Sequence, residues 1–103
     1  MPPPEPEFDP VIHAPARLKL MMILARMPVA TFNQMAQDAS LTAGNLAAHL
    51  KALETAGYVR SARGLIDLKP RVRYQITERG REALVRYCAA LREAVTRIED
   101  AVR

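Results

Sequence analysis

Asn45 and His49 are the two side chains of this chain best suited to reading a nucleobase, and they lie four residues apart in Thr42-Ala43-Gly44-Asn45-Leu46-Ala47-Ala48-His49. On a helix that spacing places both on one face. An asparagine amide pairs bidentately with adenine, and an imidazole donates to guanine or to a phosphate. The small neighbours Ala43, Gly44, Ala48 and Ala52 would let such a helix sink into a major groove. A second group is cationic: Arg63, Lys69, Arg71 and Arg73 flank a stretch with strand-like alternation. Arg71 and Arg73, two apart, fall on one side of a strand, and guanidinium forks suit phosphate oxygens. Such a group would hold backbone phosphates, with one cation reaching a minor groove. Each group also has a plainer reading. Asn45 is a common helix-start residue, His49 can be simply solvated, and charged strand faces usually are. It is the adjacency of the two groups that favours DNA, with Thr42, Gly44, Asn45, Ala48 and His49 at bases and Arg63, Lys69, Arg71 and Arg73 at phosphates.

The charge distribution agrees. Of 103 residues, 15 are basic and 11 acidic, a net charge of +4. Residues 58–81 hold seven basic and two acidic side chains, whereas the flanking segments are close to neutral. The whole excess thus sits beside the candidate reading helix, and a polyanionic partner follows. Catalysis and metal binding lack a comparable basis. His13, His49 and Cys88 are far apart and form no ligand-spaced pair, and neither a Gly-rich phosphate loop nor a Gly-x-Ser-x-Gly elbow occurs. No enzyme activity, cofactor or metal is expected. Any small-molecule effector is left open, as is a redox role for Cys88, which reads as a small apolar residue.

Compartment is read from equally simple features. One cysteine cannot form an internal disulfide, the Pro- and Glu-rich start is unlike a signal peptide, and the longest apolar run, Leu20–Ala25, is six residues. A soluble cytoplasmic chain without membrane contact is expected.

The elements that must position these residues follow from spacing and caps. Residues 1–9 carry four prolines and three acids and read as a disordered tail. Residues 10–76 read as a winged helix-turn-helix domain. Ala14–Met27 has helical periodicity but is apolar on both faces, which asks for burial on two sides. Pro28 ends it. Thr31 and Gln34 form a capping box for a short second helix, and Thr42 caps a third, Thr42–Ala56, with Leu46, Leu50 and Leu53 inward and Gly57 as its stop. A two-stranded β-hairpin over 58–76 follows, its connection bracketed by Gly64 and Pro70, with Leu65, Ile66 and Leu68 either folded back or facing a partner. Residues 77–103 form a last helix of about 26 residues, roughly 39 Å long. The fold class is therefore mainly α with a small hairpin and a long C-terminal dimerisation helix.

That helix carries Leu84, Leu91 and Ile98 in one sevenfold row and Cys88, Val95 and Val102 in another, with Tyr87 in the seam between them. It overhangs the domain in front of it. A homodimer through these residues, joined by Leu18 and Met22 of the first helix, would cover it.

The segments Leu41–Leu50, Leu53–Val59 and Tyr74–Arg81, preceded by Asp9-Pro10-Val11-Ile12-His13, resemble small stand-alone winged-helix transcriptional regulators related to the MarR and ArsR groups. The resemblance covers about residues 9–95. It implies a homodimeric regulator on double-stranded DNA, with 42–56 as recognition helix and 64–73 as wing. The operator would be an imperfect palindrome. The cysteine-rich signature of metal-responsive ArsR proteins and the extra helices of larger MarR proteins do not occur. A competing reading is a winged helix that docks another protein without reading DNA sequence.

Overall fold

Proline at a first helical turn carries no N–H to leave unsatisfied, and Pro15 opens α1 (Pro15–Arg26) in the computed structural model, which describes residues 4–103. Leu20, Met21, Ile23 and Leu24 are buried along it, whereas Met22 is exposed. The chain leaves α1 extended at Met27, bends at Pro28 and Val29 and forms β1 (Ala30–Thr31). Thr31 then starts α2 (Phe32–Ala39) with the expected capping box: its hydroxyl accepts from Gln34 N at 3.2 Å, and the Gln34 side chain accepts from Thr31 N at 2.9 Å. Ser40, at φ 55°, ends α2 in the left-handed region.

Thr42 caps α3 (Ala43–Thr55) by accepting from Asn45 N at 3.2 Å, and Leu46, Leu50 and Leu53 are its buried stripe. Gly57, at φ 79°, supplies the left-handed residue that closes α3: Gly57 N donates to Glu54 O and Tyr58 N to Leu53 O, both at 2.9 Å. β2 (Val59–Ile66) and β3 (Lys69–Ile76) pair antiparallel from Val59↔Ile76 to Ile66↔Lys69. The two residues between them, Asp67 and Leu68, both have positive φ, as a tight hairpin turn demands. Leu65 and Ile66 are therefore strand residues, and the connection is shorter than Gly64 and Pro70 implied. β1 adds to the hairpin by pairing with β3 at Ala30↔Tyr74 and Thr31↔Arg73, giving a three-stranded sheet in the order β1-β3-β2 where sequence alone implied two strands.

α4 (Glu78–Val102) begins at Thr77, whose hydroxyl accepts from Gly80 N at 3.0 Å and donates to Gly57 O at 2.6 Å. Thr77 N also donates to Tyr58 O at 2.9 Å. A Cβ on Gly80 would lie 2.2 Å from that same Tyr58 oxygen, so only glycine fits there. The start of α4 is thereby sealed against the turn that ends α3.

Ile12, Leu20, Met21, Leu24, Met35, Leu46 and Leu53 are the largest fully buried side chains, and the core they form lies between α1, α2, α3 and one face of the sheet. On α4 only Gly80, Ala83 and Tyr87 are buried. The rest of the helix projects, and the molecule measures 60 × 25 × 21 Å. Of the expected tail, residues 1–3 lie outside the described residues. Residues 4–9 are without helix or strand, yet they are fastened at several points. Phe8 stacks on His13 at 4.3 Å, Asp9 accepts from Val11 N at 2.8 Å and from the Tyr58 hydroxyl, and Arg97 meets Glu5 at 3.4 Å and donates to Pro4 O at 2.6 Å.

Candidate nucleic-acid interface

With Leu46, Leu50 and Leu53 fixed inward, helical spacing turns Gly44, Ala48, Lys51 and Thr55 outward, and all four are exposed. Thr42 and Asn45 are exposed as well. Nothing lies within 4 Å of where a Gly44 Cβ would be, so the fold itself does not require glycine at this position. Lys51 was not among the residues singled out from the sequence. Its signal in the sequence is its place on the same face, seven residues after Gly44 and three after Ala48. Ala52 is half-buried.

His49 sits on the flank of α3 and is half-buried, its Nδ1 3.4 Å from Nη1 of Arg17. Arg17 comes from the first turn of α1 and also donates to the carbonyls of Val11 and Pro10. Asn45 and His49 thus share one flank, as their spacing implied, but only Asn45 is fully open.

The hairpin distributes its cations unevenly. In the observed register Arg71 lies opposite Gly64, Arg73 opposite Ala62 and Lys69 opposite Ile66, so these three share a face. Arg60, opposite Gln75, belongs to it too and donates from Nε to Gln75 Oε1 at 3.1 Å. Arg63 lies opposite Val72, on the other face. The four cations expected together therefore divide three to one, and Arg60 joins the larger set. Lys69 and Arg71 are exposed, while Arg73 is half-buried and folded across the strands. Its Nη2 donates to Leu65 O at 3.0 Å and its Nε has no protein partner. At the tip Leu65 and Leu68 are exposed, Leu68 at 89%. Burial, and secondarily the Glu54 charge, raises the pKa of Tyr74, which supports β3 from the core side.

Of the residues assigned to a subunit contact, Met22, Leu91, Val95, Ile98 and Val102 are exposed, and Leu18, Leu84 and Cys88 are half-buried. Tyr87 is different. It is 5% exposed within its own chain, its hydroxyl 2.9 Å from His13 Nδ1 and its ring 5.7 Å from that of Phe8. The N-terminal segment covers it, so it belongs to the core rather than to a seam. Val85, not foreseen, is exposed and lines a 200 Å³ groove with Ala25, Ile76, Arg81, Leu84 and Cys88.

Among the described residues no group of three or more His, Cys, Asp or Glu could hold a metal, and no helix is long and apolar enough to cross a membrane. A cleft of about 430 Å³ lies between Phe8, Asp9, Tyr58, Arg86 and Tyr87.

A family model described as a winged helix DNA-binding domain matches residues 16–95. An uncharacterized protein of Methanocaldococcus jannaschii is 29% identical over 89 residues, 86% of this chain and 97% of that protein. Among solved structures, a transcriptional regulator homologue from Pyrococcus horikoshii superposes with a TM-score of 0.79 at 31% identity, covering 85% of this chain and 87% of the other. The transcriptional repressor CouR, bound to a 23-mer DNA duplex, superposes at 0.72 with 27% identity, over 90% of this chain and 63% of CouR. A regulator of the MarR family from Enterococcus faecalis gives 0.76 at 21% identity, over 90% of this chain and 84% of that one.

Proposed function

The chain belongs to the winged-helix DNA-binding domain family, and from that premise we propose that it works as a regulator related to MarR, a homodimer reading an imperfect palindrome. The observation that carries this reading is the open outer face of α3. Gly44, Asn45, Ala48 and Lys51 stand clear of the fold, and the small residues among them leave room for base edges. Thr42 and His49 complete the reading surface. Lys69, Arg71 and Arg73, with Arg63 from the opposite face of the hairpin, hold phosphates on either side of the wing. Residues 10–76 bind DNA and residues 77–103 pair two chains, through Leu84, Cys88, Leu91, Val95, Ile98 and Val102 with Leu18 and Met22 of α1. The cytoplasm is the compartment expected for this role.

Selection of bound sequences from a random DNA pool tests the reading. We expect enrichment of two half-sites related by a two-fold axis, about one helical turn apart. With the selected site, Arg71→Ala with Arg73→Ala weakens binding to all sequences and flattens its salt dependence, whereas Asn45→Ala relaxes base preference at one position. An unchanged salt slope in the double variant would remove the wing from the interface. One observation favours a second reading, docking of a protein partner: Leu65 and Leu68 expose aliphatic surface at the wing tip that phosphate binding does not need. That reading prevails if no DNA sequence is enriched and a protein co-purifies in a manner abolished by Leu68→Ser.

A further inference from the structure

Arg17 lies outside both the recognition helix and the wing, yet its guanidinium is fixed from three sides. Its Nε donates to Val11 O, its Nη2 to Pro10 O at 3.3 Å, and its Nη1 meets His49 Nδ1 at 3.4 Å. The loop that supplies the two carbonyls is itself held. Asp9 accepts from Val11 N and from the Tyr58 hydroxyl, and His13 N donates to Asp9 O at 2.8 Å. A guanidinium is always charged and has only N–H donors. In the neutral imidazole Nδ1 of His49 is therefore the acceptor of this contact. The proton of that neutral ring is then on Nε2.

We infer that Arg17 is a positioning residue for base reading: it locks His49 into the tautomer whose free nitrogen can only donate. The inference rests on α3 being the recognition helix, and it narrows what His49 can read. A ring free to rotate could present either a donor or an acceptor, and so would accept several base edges. A ring locked as a donor recognises acceptors, which in the major groove are purine N7, guanine O6 and thymine O4, and it disfavours the amino groups of adenine and cytosine. Arg17 thus confers selectivity without touching the DNA. This differs from the role of the wing cations, whose effect falls on phosphates and on all sequences alike.

Two measurements on the full chain test this. Ring-nitrogen NMR of the DNA-free protein should show His49 Nδ1 unprotonated and Nε2 protonated, with one set of signals. A proton on Nδ1 would overturn the contact whatever the protein binds. The second is a mutant cycle of Arg17→Ala, His49→Ala and the double variant against the selected operator and its single-base variants. Wild type should prefer an acceptor-bearing base at one position by about tenfold or more, as expected of one good base contact. Arg17→Ala should reduce that preference nearly as far as His49→Ala does. In the His49→Ala background Arg17→Ala should change nothing further, because residues acting through one contact are not additive. Arg17→Lys, which keeps the charge and loses the fork, should behave like Arg17→Ala. The salt slope should be unchanged in every Arg17 variant. A slope reduced by about 0.9 with base preference intact would make Arg17 a phosphate ligand and overturn the proposal. Failure of wild type to select any sequence would instead overturn the recognition reading, and with it the base-reading role, while the NMR result still judged the Arg17–His49 contact by itself.

Discussion

Single side chains fasten this molecule at places where the sequence offers little warning. The hydroxyl of Tyr58 donates to Asp9 and ties the segment before α1 to the start of β2. That hydrogen bond, with burial and the Asp9 charge, raises the Tyr58 pKa above 10.0, against a smaller lowering by Arg79 and Arg86. A folded-state pKa raised in this way gives stability that is present below about pH 10, where both states hold the proton, and is lost as pH climbs through the folded value. Tyr58→Phe should cost about 1 kcal/mol at neutral pH in urea denaturation, and the gap to wild type should narrow above pH 10. Gly80 is a sharper case. Gly80→Ala would force a methyl group against a carbonyl oxygen that also accepts from Thr77 N, so a loss of about 3 kcal/mol is expected, read as a lower urea midpoint with unchanged slope. Residue identities of this kind were only partly legible. Asn45 could be placed on the surface of α3 from periodicity alone, because three leucines fix that helix. Tyr87 could not be placed, since its heptad position was satisfied equally by a second subunit and by Phe8 and His13 from the far end of the chain. Arg17 carried no local pattern at all. Its meaning comes from a contact 32 positions away.

At the scale of elements, legibility follows the strength of local signals. The capping box at Thr31, the caps at Thr42 and Thr77 and the Gly57 stop all form as their residue types dictate, because each is satisfied within a few residues. β1 gave no such signal. Two residues have no periodicity, and Ala30–Thr31 become a strand only because the edge of β3 is there to pair with. The hairpin register is the other gap. Gly64 and Pro70 looked like turn residues, but Leu65 and Ile66 prefer the strand and pair with Pro70 and Lys69, which moves the turn outward onto Asp67 and Leu68. That shift decides which cations share a face. It also leaves a leucine at φ 63°, where a side chain is strained by about 1–2 kcal/mol. Changing Asp67→Asn and Leu68→Gly together supplies the pair this turn prefers, and part of the relief is offset by the entropy of glycine. A net gain of about 0.5–1 kcal/mol is expected in thermal or urea unfolding. No gain would mean that Leu68 is held by contacts on its exposed side chain's underside.

For the whole molecule the feature to explain is α4, which projects beyond the core with Leu91, Val95, Ile98 and Val102 exposed along one face. In the proposed dimer these residues are covered. Val95→Asp with Ile98→Asp places charge on that face, and light scattering at micromolar concentration should then fall from a dimer to a monomer mass while the circular dichroism of the helices persists. If wild type is already monomeric, residues 77–103 do not pair. Length and the heptad rows made this helix legible as a unit, whereas the anchoring of its far half by Arg97 to Pro4 and Glu5 joins segments at opposite ends of the chain. The seal between Thr77, Gly80 and the Gly57–Tyr58 turn would give the proposed dimer a metrological character. Through it α4 and α3 of each chain are joined as one bent arm, so the proposed dimer would act as a calliper. One base pair added between half-sites displaces the second by about 3.4 Å and turns it by about 34°. In such a dimer the interval between half-sites would be registered as strictly as the letters within them.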